Sequence, residues 1–185
     1  MSFKKTFLPA IVLMILCLAA AAALAFTNDL TKDRIAEVEK EKYFAAAAAV
    51  LPEGAVLEEL TVEEGVLAAI GVDSAEGFVA RNGEGAVIGY AIKTLAKGYG
   101  GDVACVVGFD TSGKIIGLSV SAPDETPGLG SNVQKPTFSD RFLGISQKTE
   151  VNAVEGVTSA TYSSRAVKRA VSDAITVFEE ITKGA

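Results

Sequence analysis

The sequence contains no histidine among its 185 residues. Histidine is required for Ser-His-Asp and Cys-His catalysis, for histidine-ligated haem and for histidine-containing zinc sites, so all of these are excluded for this chain. Cysteine is almost as scarce, because only Cys17 and Cys105 are present. Two distant cysteines can form neither a CxxC motif nor a four-thiolate iron–sulfur cluster. We therefore expect no metal site and no catalytic triad in this chain.

Basic residues are in the minority. The chain has 17 Lys and Arg against 23 Asp and Glu, which gives a formal net charge of −6. Lys4 and Lys5 are the only charged side chains before Asp29, so the body that follows has 15 bases against the same 23 acids, a net charge of −8. A protein that binds nucleic acid needs a basic surface. We therefore expect no nucleic-acid partner.

A long uncharged segment lies near the N-terminus. No charged residue occurs from Thr6 to Asn28, and its apolar core at residues 7–26 would span ~30 Å as a helix, enough to cross a bilayer. The alternative is a cleaved signal peptide, suggested by Ala23-Leu24-Ala25, but the apolar run is longer than the usual signal core of about 7–15 residues. We expect residues 1–28 to be a cytoplasmic stub and a single transmembrane anchor.

The lysines in front of the anchor predict its orientation. Lys4 and Lys5 favour a cytoplasmic N-terminus, although Lys32 and Arg34 follow soon on the other side. The body would then lie outside the cytoplasm, attached to the cell membrane. Amphipathic spacing at residues 29–52 predicts a stalk helix, which Pro52 would end.

The body has the pattern of an α+β fold, with an antiparallel sheet packed by helices. Its β-like segments are rich in Val and Ile and are separated by short turns, such as residues 110–113, so consecutive strands should pair antiparallel. A strongly amphipathic helix is predicted from Arg165 to about Thr182. We expect residues 53–185 to form one domain. The predicted strands are residues 55–60, 78–81, 86–94, 103–110 and 114–121.

Hydroxyl side chains cluster just before that last helix, at residues 155–164. A helix N-terminus offers unpaired N–H groups and the positive end of the helix dipole, which together suit a phosphate. The simpler alternative is an ordinary capped helix, with Ser163 or Ser164 as the N-cap and the other hydroxyls in a polar loop.

Thr158-Ser159-Ala160-Thr161, with Glu155 before it, resembles the flavinylation motif of the FMN-binding domain family. Members of that family include the G subunit of the Rnf complex, which this chain resembles more, and the C subunit of the sodium-translocating NADH:quinone reductase. The motif's usual aspartate is Glu155 here, and its usual glycine is Ser159. The resemblance implies that the hydroxyl of Thr161 is esterified to the phosphate of FMN, with Thr158, Ser159 and Ala160 around that phosphate.

Two further segments carry the resemblance, which extends over roughly residues 31–182. Taken alone, residues 124–130 and 97–101 are only Gly-rich turns. Residues 125–130 nevertheless match the family's ETPGLG loop, which lines the flavin ring. The resemblance implies that the cofactor contacts of these segments are Glu125, Thr126, Gly128, Leu129, Gly98 and Tyr99. Glu125 could alternatively be a loop-stabilising carboxylate.

The resemblance implies a membrane-anchored flavoprotein that relays electrons within an ion-translocating Rnf-type complex and has no independent catalysis. Its expected partners are the other subunits, the membrane, and a flavin transferase that donates FMN from FAD. One alternative is a tethered extracytoplasmic binding or assembly module without a redox centre. Another is a threonine or serine hydrolase, which would need a lysine base such as Lys93, Lys97 or Lys168.

Overall fold

The computed structural model describes residues 3–62 and 64–183, with the backbone alone for residues 3–7 and 64. The first two residues of the predicted cytoplasmic stub, the side chains of Lys4 and Lys5, and the last two residues of the predicted domain lie outside the described part. The chain divides into two compact units, one ending at Lys42 and the other beginning at Tyr43.

The first unit is helical. Helix α1 spans Phe3–Val50, and its apolar side chains from Leu8 to Phe26 are exposed. It is the one helix within the described residues that is long and apolar enough to cross a membrane. The helix ends two residues before Pro52, as the sequence predicts.

The second unit is built on a five-stranded antiparallel sheet in which sequence neighbours pair, in the order β1-β2-β3-β4-β5. The antiparallel sheet packed by helices confirms the predicted fold class. Strands β2 and β3 each extend further than predicted, because Gly77 and the alanines within them are tolerated when neighbouring strands pair on both sides. The strands are β1 (Val56–Leu60), β2 (Ala75–Arg81), β3 (Val87–Lys97), β4 (Asp102–Phe109) and β5 (Ile115–Ser121).

Short helices connect and follow the strands. Helix α2 (Glu64–Ile70) lies between β1 and β2, α3 (Pro136–Ser139) lies between two 3-10 turns, Gly130–Gln134 and Asp140–Phe142, and α4 (Lys148–Ala153) follows. None of them was predicted from the sequence, since runs of seven residues or fewer show no clear helical period. Only α4 had a usable signal, a capping box in which Gln147 and Glu150 bond each other's backbone N–H.

Helix α5 (Thr161–Thr182) covers one face of the sheet. Its buried stripe includes Val167, Val171 and Ile175, which join a core with strand residues such as Cys105 and Val107. Burial raises the pKa of the Cys105 thiol to about 12. The core at this face is therefore mainly apolar, and α5 packs closely against β3 and β4.

The C-terminal end of α1 covers the opposite face. Tyr43, Ala47 and Val50 are buried against strand residues including Phe78 and Val106. Val106 points to this face and its neighbours in β4 point to α5, as the two-residue period of a strand requires. The last two turns of α1 are therefore part of the sheet domain's core.

Candidate functional site

Helix α5 begins at Thr161, one turn earlier than the predicted Arg165. The residue at the N-cap position is Ala160, which makes no side-chain capping bond, and the first backbone bond of the helix runs from Ser164 N to Ala160 O at 2.9 Å. The interpretation of Ser163 or Ser164 as the N-cap is therefore wrong. Thr161 occupies the first helical position with its side chain exposed, beside N–H groups that no side chain caps.

The buried serines of that first turn point inward. The Ser164 hydroxyl accepts a hydrogen bond from Val157 N at 2.9 Å, and the Ser163 hydroxyl donates to the Glu125 carboxylate at 2.8 Å. These tertiary bonds explain why the two serines do not cap the helix. They leave Thr161 as the exposed hydroxyl at its start.

The loop before the helix presents two more hydroxyls. Thr158 and Ser159 are exposed, whereas Ala160 is buried at 4% exposure. Ser159 has a backbone φ of 63° and is the one non-glycine residue with positive φ among the described residues. That conformation is the one for which a glycine would be favoured. Thr158, Ser159 and Thr161 thus lie together at the uncapped end of α5.

Arg141 holds the start of the loop that precedes α5. Its guanidinium donates to the carbonyl oxygens of Glu155 and Thr137, both at 2.9 Å, and lies 5.9 Å from the Phe138 ring centroid. Arg141 was not predicted from the sequence, because the contact joins residues 14 apart through backbone carbonyls. The Glu155 side chain itself is exposed.

Glu125 joins this region to the other two segments. Its side chain is only 4% exposed. One carboxylate oxygen accepts from Tyr99 N at 2.7 Å and Gly100 N at 3.3 Å, and the other accepts from the Ser163 hydroxyl. The three segments singled out in the sequence therefore meet at one buried carboxylate, an arrangement that also fits the alternative role of Glu125 in stabilising loops.

Glycines make this close approach possible. A Cβ on Gly98 would overlap one carboxylate oxygen of Glu125, and a Cβ on Gly130 would overlap the other. A Cβ on Gly100 would overlap the carbonyl oxygen of Asp124. Gly98 thus contributes to the site by admitting the Glu125 carboxylate between the two loops.

The turn after Glu125 has the geometry that Pro followed by Gly predicts. Leu129 N donates to Thr126 O at 3.1 Å and Gly128 has a φ of 76°, as in a type II turn. Gly128 N also donates to the Ser131 hydroxyl at 2.9 Å. Thr126, Gly128 and Leu129 all lie at the surface, with Leu129 47% exposed.

Two tyrosines form an exposed aromatic pair. Tyr99 and Tyr162 are 74% and 64% exposed, and their ring centroids are 6.0 Å apart. Tyr162 was not predicted as a site residue, although its position directly after Thr161 is visible in the sequence. Large exposed aromatic surfaces beside a helix N-terminus suit a ligand that has both an apolar planar part and an anionic part.

The lysines considered as a hydrolytic base make other contacts. Lys93 pairs with Glu76 at 3.3 Å, Lys97 with Asp102 at 2.9 Å, and Lys168 donates to Asn152 O at 3.1 Å. Within residues 3–62 and 64–183, no group of three Cys, Asp or Glu side chains is arranged to hold a metal ion. The arrangement around Thr161 therefore favours binding of an anion over general-base chemistry.

Comparison with known families gives two matches. The FMN-binding domain family matches residues 98–176, and the RnfG N-terminal region family matches residues 1–50. The first match includes all three segments that meet at Glu125. The second includes α1.

Full-length relatives give a consistent result. The chain is 30% identical to the G subunit of the Na⁺-translocating ferredoxin:NAD⁺ oxidoreductase complex of Acetobacterium woodii, over 98% of this chain and 95% of the relative. It is also 30% identical to the G subunit of the ion-translocating oxidoreductase complex of Methanosarcina acetivorans, over 95% and 96%. The crystal structure of NqrC from Shewanella oneidensis has a similar fold, with a TM-score of 0.51 and 18% identity over 69% of this chain and 70% of that chain.

Proposed function

The chain belongs to the family of G subunits of ion-translocating oxidoreductase complexes, and we propose that it relays electrons through an FMN covalently attached to Thr161. The observation that carries this proposal is the exposed Thr161 hydroxyl at the uncapped N-terminus of α5. The match of residues 98–176 to the FMN-binding domain family supports the choice of cofactor.

The residues around Thr161 fit both parts of FMN. The free N–H groups of the first turn and the helix dipole suit the phosphate, and Thr158, Ser159 and the backbone at Ala160 lie beside them. Tyr99, Thr126, Gly128 and Leu129 offer an exposed surface for the isoalloxazine ring. When bound, the flavin supplies a centre that accepts two electrons and releases them singly.

Attachment would use the threonine as a nucleophile. In a flavin transferase, the Thr161 hydroxyl oxygen would form a bond to the FMN phosphorus of FAD, the bond between the two phosphates would break, AMP would leave, and the hydroxyl proton would pass to the enzyme's base. The chain's own contribution is to present the hydroxyl on a fixed helical turn. Covalent attachment keeps the cofactor in place where free flavin is scarce.

The anchor and orientation are part of the same proposal. Residues 1–28 would form a short cytoplasmic segment and the anchor in the cell membrane, and the stalk and domain would lie outside the cytoplasm. The donor, the acceptor and the ion path would belong to neighbouring subunits of the complex. No independent turnover of a soluble substrate is expected.

Intact mass tests the proposal directly. The chain is co-expressed with a flavin transferase, purified in detergent, denatured and measured by mass spectrometry and in-gel fluorescence. We expect an increment of one FMN less one water in the wild type and none in Thr161→Ala, because only that hydroxyl is the acceptor. Thr111→Ala, at an exposed threonine in the turn between β4 and β5, serves as the matched control and should keep the modification.

Two results would contradict the proposal. An unmodified, colourless wild type under these conditions would exclude covalent flavin. A fluorescent Thr161→Ala chain would place the cofactor on another residue. Peptide mapping of the modified wild type distinguishes Thr161 from Thr158 and Ser159.

A further inference from the structure

Glu125 occupies an unusual position for a surface-loop carboxylate. It follows β5, yet its side chain is 4% exposed, and it accepts hydrogen bonds from three donors that belong to two other segments. A carboxylate is an acceptor only, and burying it without donors is strongly unfavourable. Its burial therefore depends on all three segments being in place together.

The position of Ser163 gives this contact a consequence for Thr161. The two residues lie in the same turn of α5, two positions apart, so fixing the Ser163 side chain fixes the rotation and height of the turn that carries the Thr161 hydroxyl. The Ser164 hydroxyl ties the same turn to the preceding loop through Val157 N, so Ser163 supplies the turn's side-chain bond to the 124–130 loop.

The same carboxylate links the two segments that carry the exposed tyrosines. One oxygen accepts from Tyr99 N, and the other bonds Ser163, the residue after Tyr162. The 6.0 Å separation of the two rings thus spans two segments that Glu125 links. Loss of this link would let Tyr99 move relative to Tyr162 and the Thr161 hydroxyl, which lie together on α5.

We propose that Glu125 is a positioning residue, whose buried carboxylate joins the Gly98–Gly101 turn, the 124–130 loop and the first turn of α5 and so sets where the Thr161 hydroxyl and the tyrosine pair lie. This inference extends the proposed function, and its test by the rate of FMN attachment rests on that function. It does not require Glu125 to touch the flavin.

Hydrogen exchange on the full chain without flavin provides the first readout. In Glu125→Ala we expect the amides of Tyr99 and Gly100, and those of the first turn of α5, to exchange at least about tenfold faster, since their shared acceptor or anchor is lost. Amides of the central β3–β4 ladder should be unchanged. Glu125→Gln should stay within about threefold of wild type, because its amide can accept from the backbone N–H groups and donate to Ser163.

The rate of FMN attachment provides the second readout, measured with a purified flavin transferase and FAD. We expect Glu125→Ala to slow attachment by at least about tenfold, because a displaced nucleophile reacts poorly. Glu125→Gln should restore most of the rate, since geometry and not charge is at issue. Glu76→Gln removes an exposed carboxylate from the sheet face covered by α1 and serves as the control with no effect.

Ser163→Ala keeps the test decisive if Glu125→Ala fails to fold. It removes one buried hydroxyl and should loosen the first turn of α5 while leaving the Tyr99 and Gly100 amides protected. Wild-type exchange and attachment in Ser163→Ala, or attachment as slow in Glu125→Gln as in Glu125→Ala, would overturn the positioning role. A wild type that takes up no FMN would instead contradict the proposed function, and the exchange measurements would still decide the role of Glu125.

Discussion

Ser159 shows how one backbone angle connects the family's motif to its structure. The residue has a φ of 63° in the loop just before Thr161, the proposed acceptor, and this conformation costs an L-residue other than glycine about 1–2 kcal/mol. The related motif has glycine at this place, and the conformation supplies a physical reason for it. Serine keeps the loop geometry here but stores strain beside Thr161.

Ser159→Gly should therefore stabilise the protein slightly. Relief of the strain is partly offset by the greater freedom of glycine in the unfolded chain, ~0.4–1 kcal/mol, so we expect a net gain of about 0.5 kcal/mol in the free energy of unfolding. Denaturant unfolding of the sheet domain, monitored by circular dichroism, measures this change in the free energy of unfolding.

Thr158→Gly is the matched control for this prediction. Thr158 is an exposed neighbour without a positive φ, so glycine there should only destabilise, by about 0.4–1 kcal/mol. Equal losses of stability in both variants would show that Ser159 carries no strain.

At the scale of elements, two glycines on neighbouring strands leave room for the C-terminal end of α1 to pack closely against the sheet. Gly108 and Gly117 are register partners in β4 and β5. A Cβ on Gly108 would overlap the carbonyl oxygen of Val50, and one on Gly117 would lie 2.7 Å from the Val50 Cα. These neighbours are backbone atoms, which cannot rotate away as a side chain can. The helix end can approach the sheet closely only where both side chains are absent.

Gly117→Ala should consequently displace the end of α1. We expect the free energy of unfolding to fall by about 1–3 kcal/mol, the usual cost of inserting a methyl group into a packed contact. Gly83→Ala is the matched control, since no atom lies within 4 Å of its added Cβ, and it should change stability by no more than about 0.5 kcal/mol. A Gly117→Ala protein as stable as the control would mean that the end of α1 does not pack against these two glycines.

The same contacts show which parts of the fold the sequence could predict. The runs rich in Val and Ile located all five strands, because the burial of a strand determines the spacing of the apolar residues within that strand. The start of α5 could not be located, since Ser163 and Ser164 are small, polar and buried. Their partners, Glu125 and Val157, are 38 and 7 residues away in the chain, and no local pattern records such bonds.

The candidate site was predictable only in part for the same reason. Resemblance singled out the segments around Gly98, Glu125 and Thr161, and the structure brings the three together. Their convergence on one carboxylate, and the contacts of Arg141, depend on tertiary bonds between backbone atoms and distant side chains. No pattern in a single sequence predicts such long-range bonds.

At the scale of the whole molecule, the boundary between the two compact units falls inside α1, at residues 42 and 43. The predicted domain begins at residue 53, which would leave out Tyr43, Ala47, Val50 and Leu51. All four are buried against the sheet. Full burial of a Val- or Leu-sized side chain contributes about 1.5–3 kcal/mol, so losing this group would cost on the order of 5 kcal/mol. That is comparable with the total stability of a typical domain, about 5–15 kcal/mol.

Two truncated chains test where the domain begins. A chain of residues 43–185 should be soluble and monomeric and should unfold in one cooperative transition, since it keeps the buried helix end and lacks the exposed apolar run. A chain of residues 53–185 should lose most of that stability and associate through the uncovered face containing Phe78 and Val106. Size-exclusion chromatography and thermal unfolding by circular dichroism measure both effects. Equal melting temperatures for the two chains would show that the end of α1 contributes nothing to the domain, and its last two turns would then belong to the stalk.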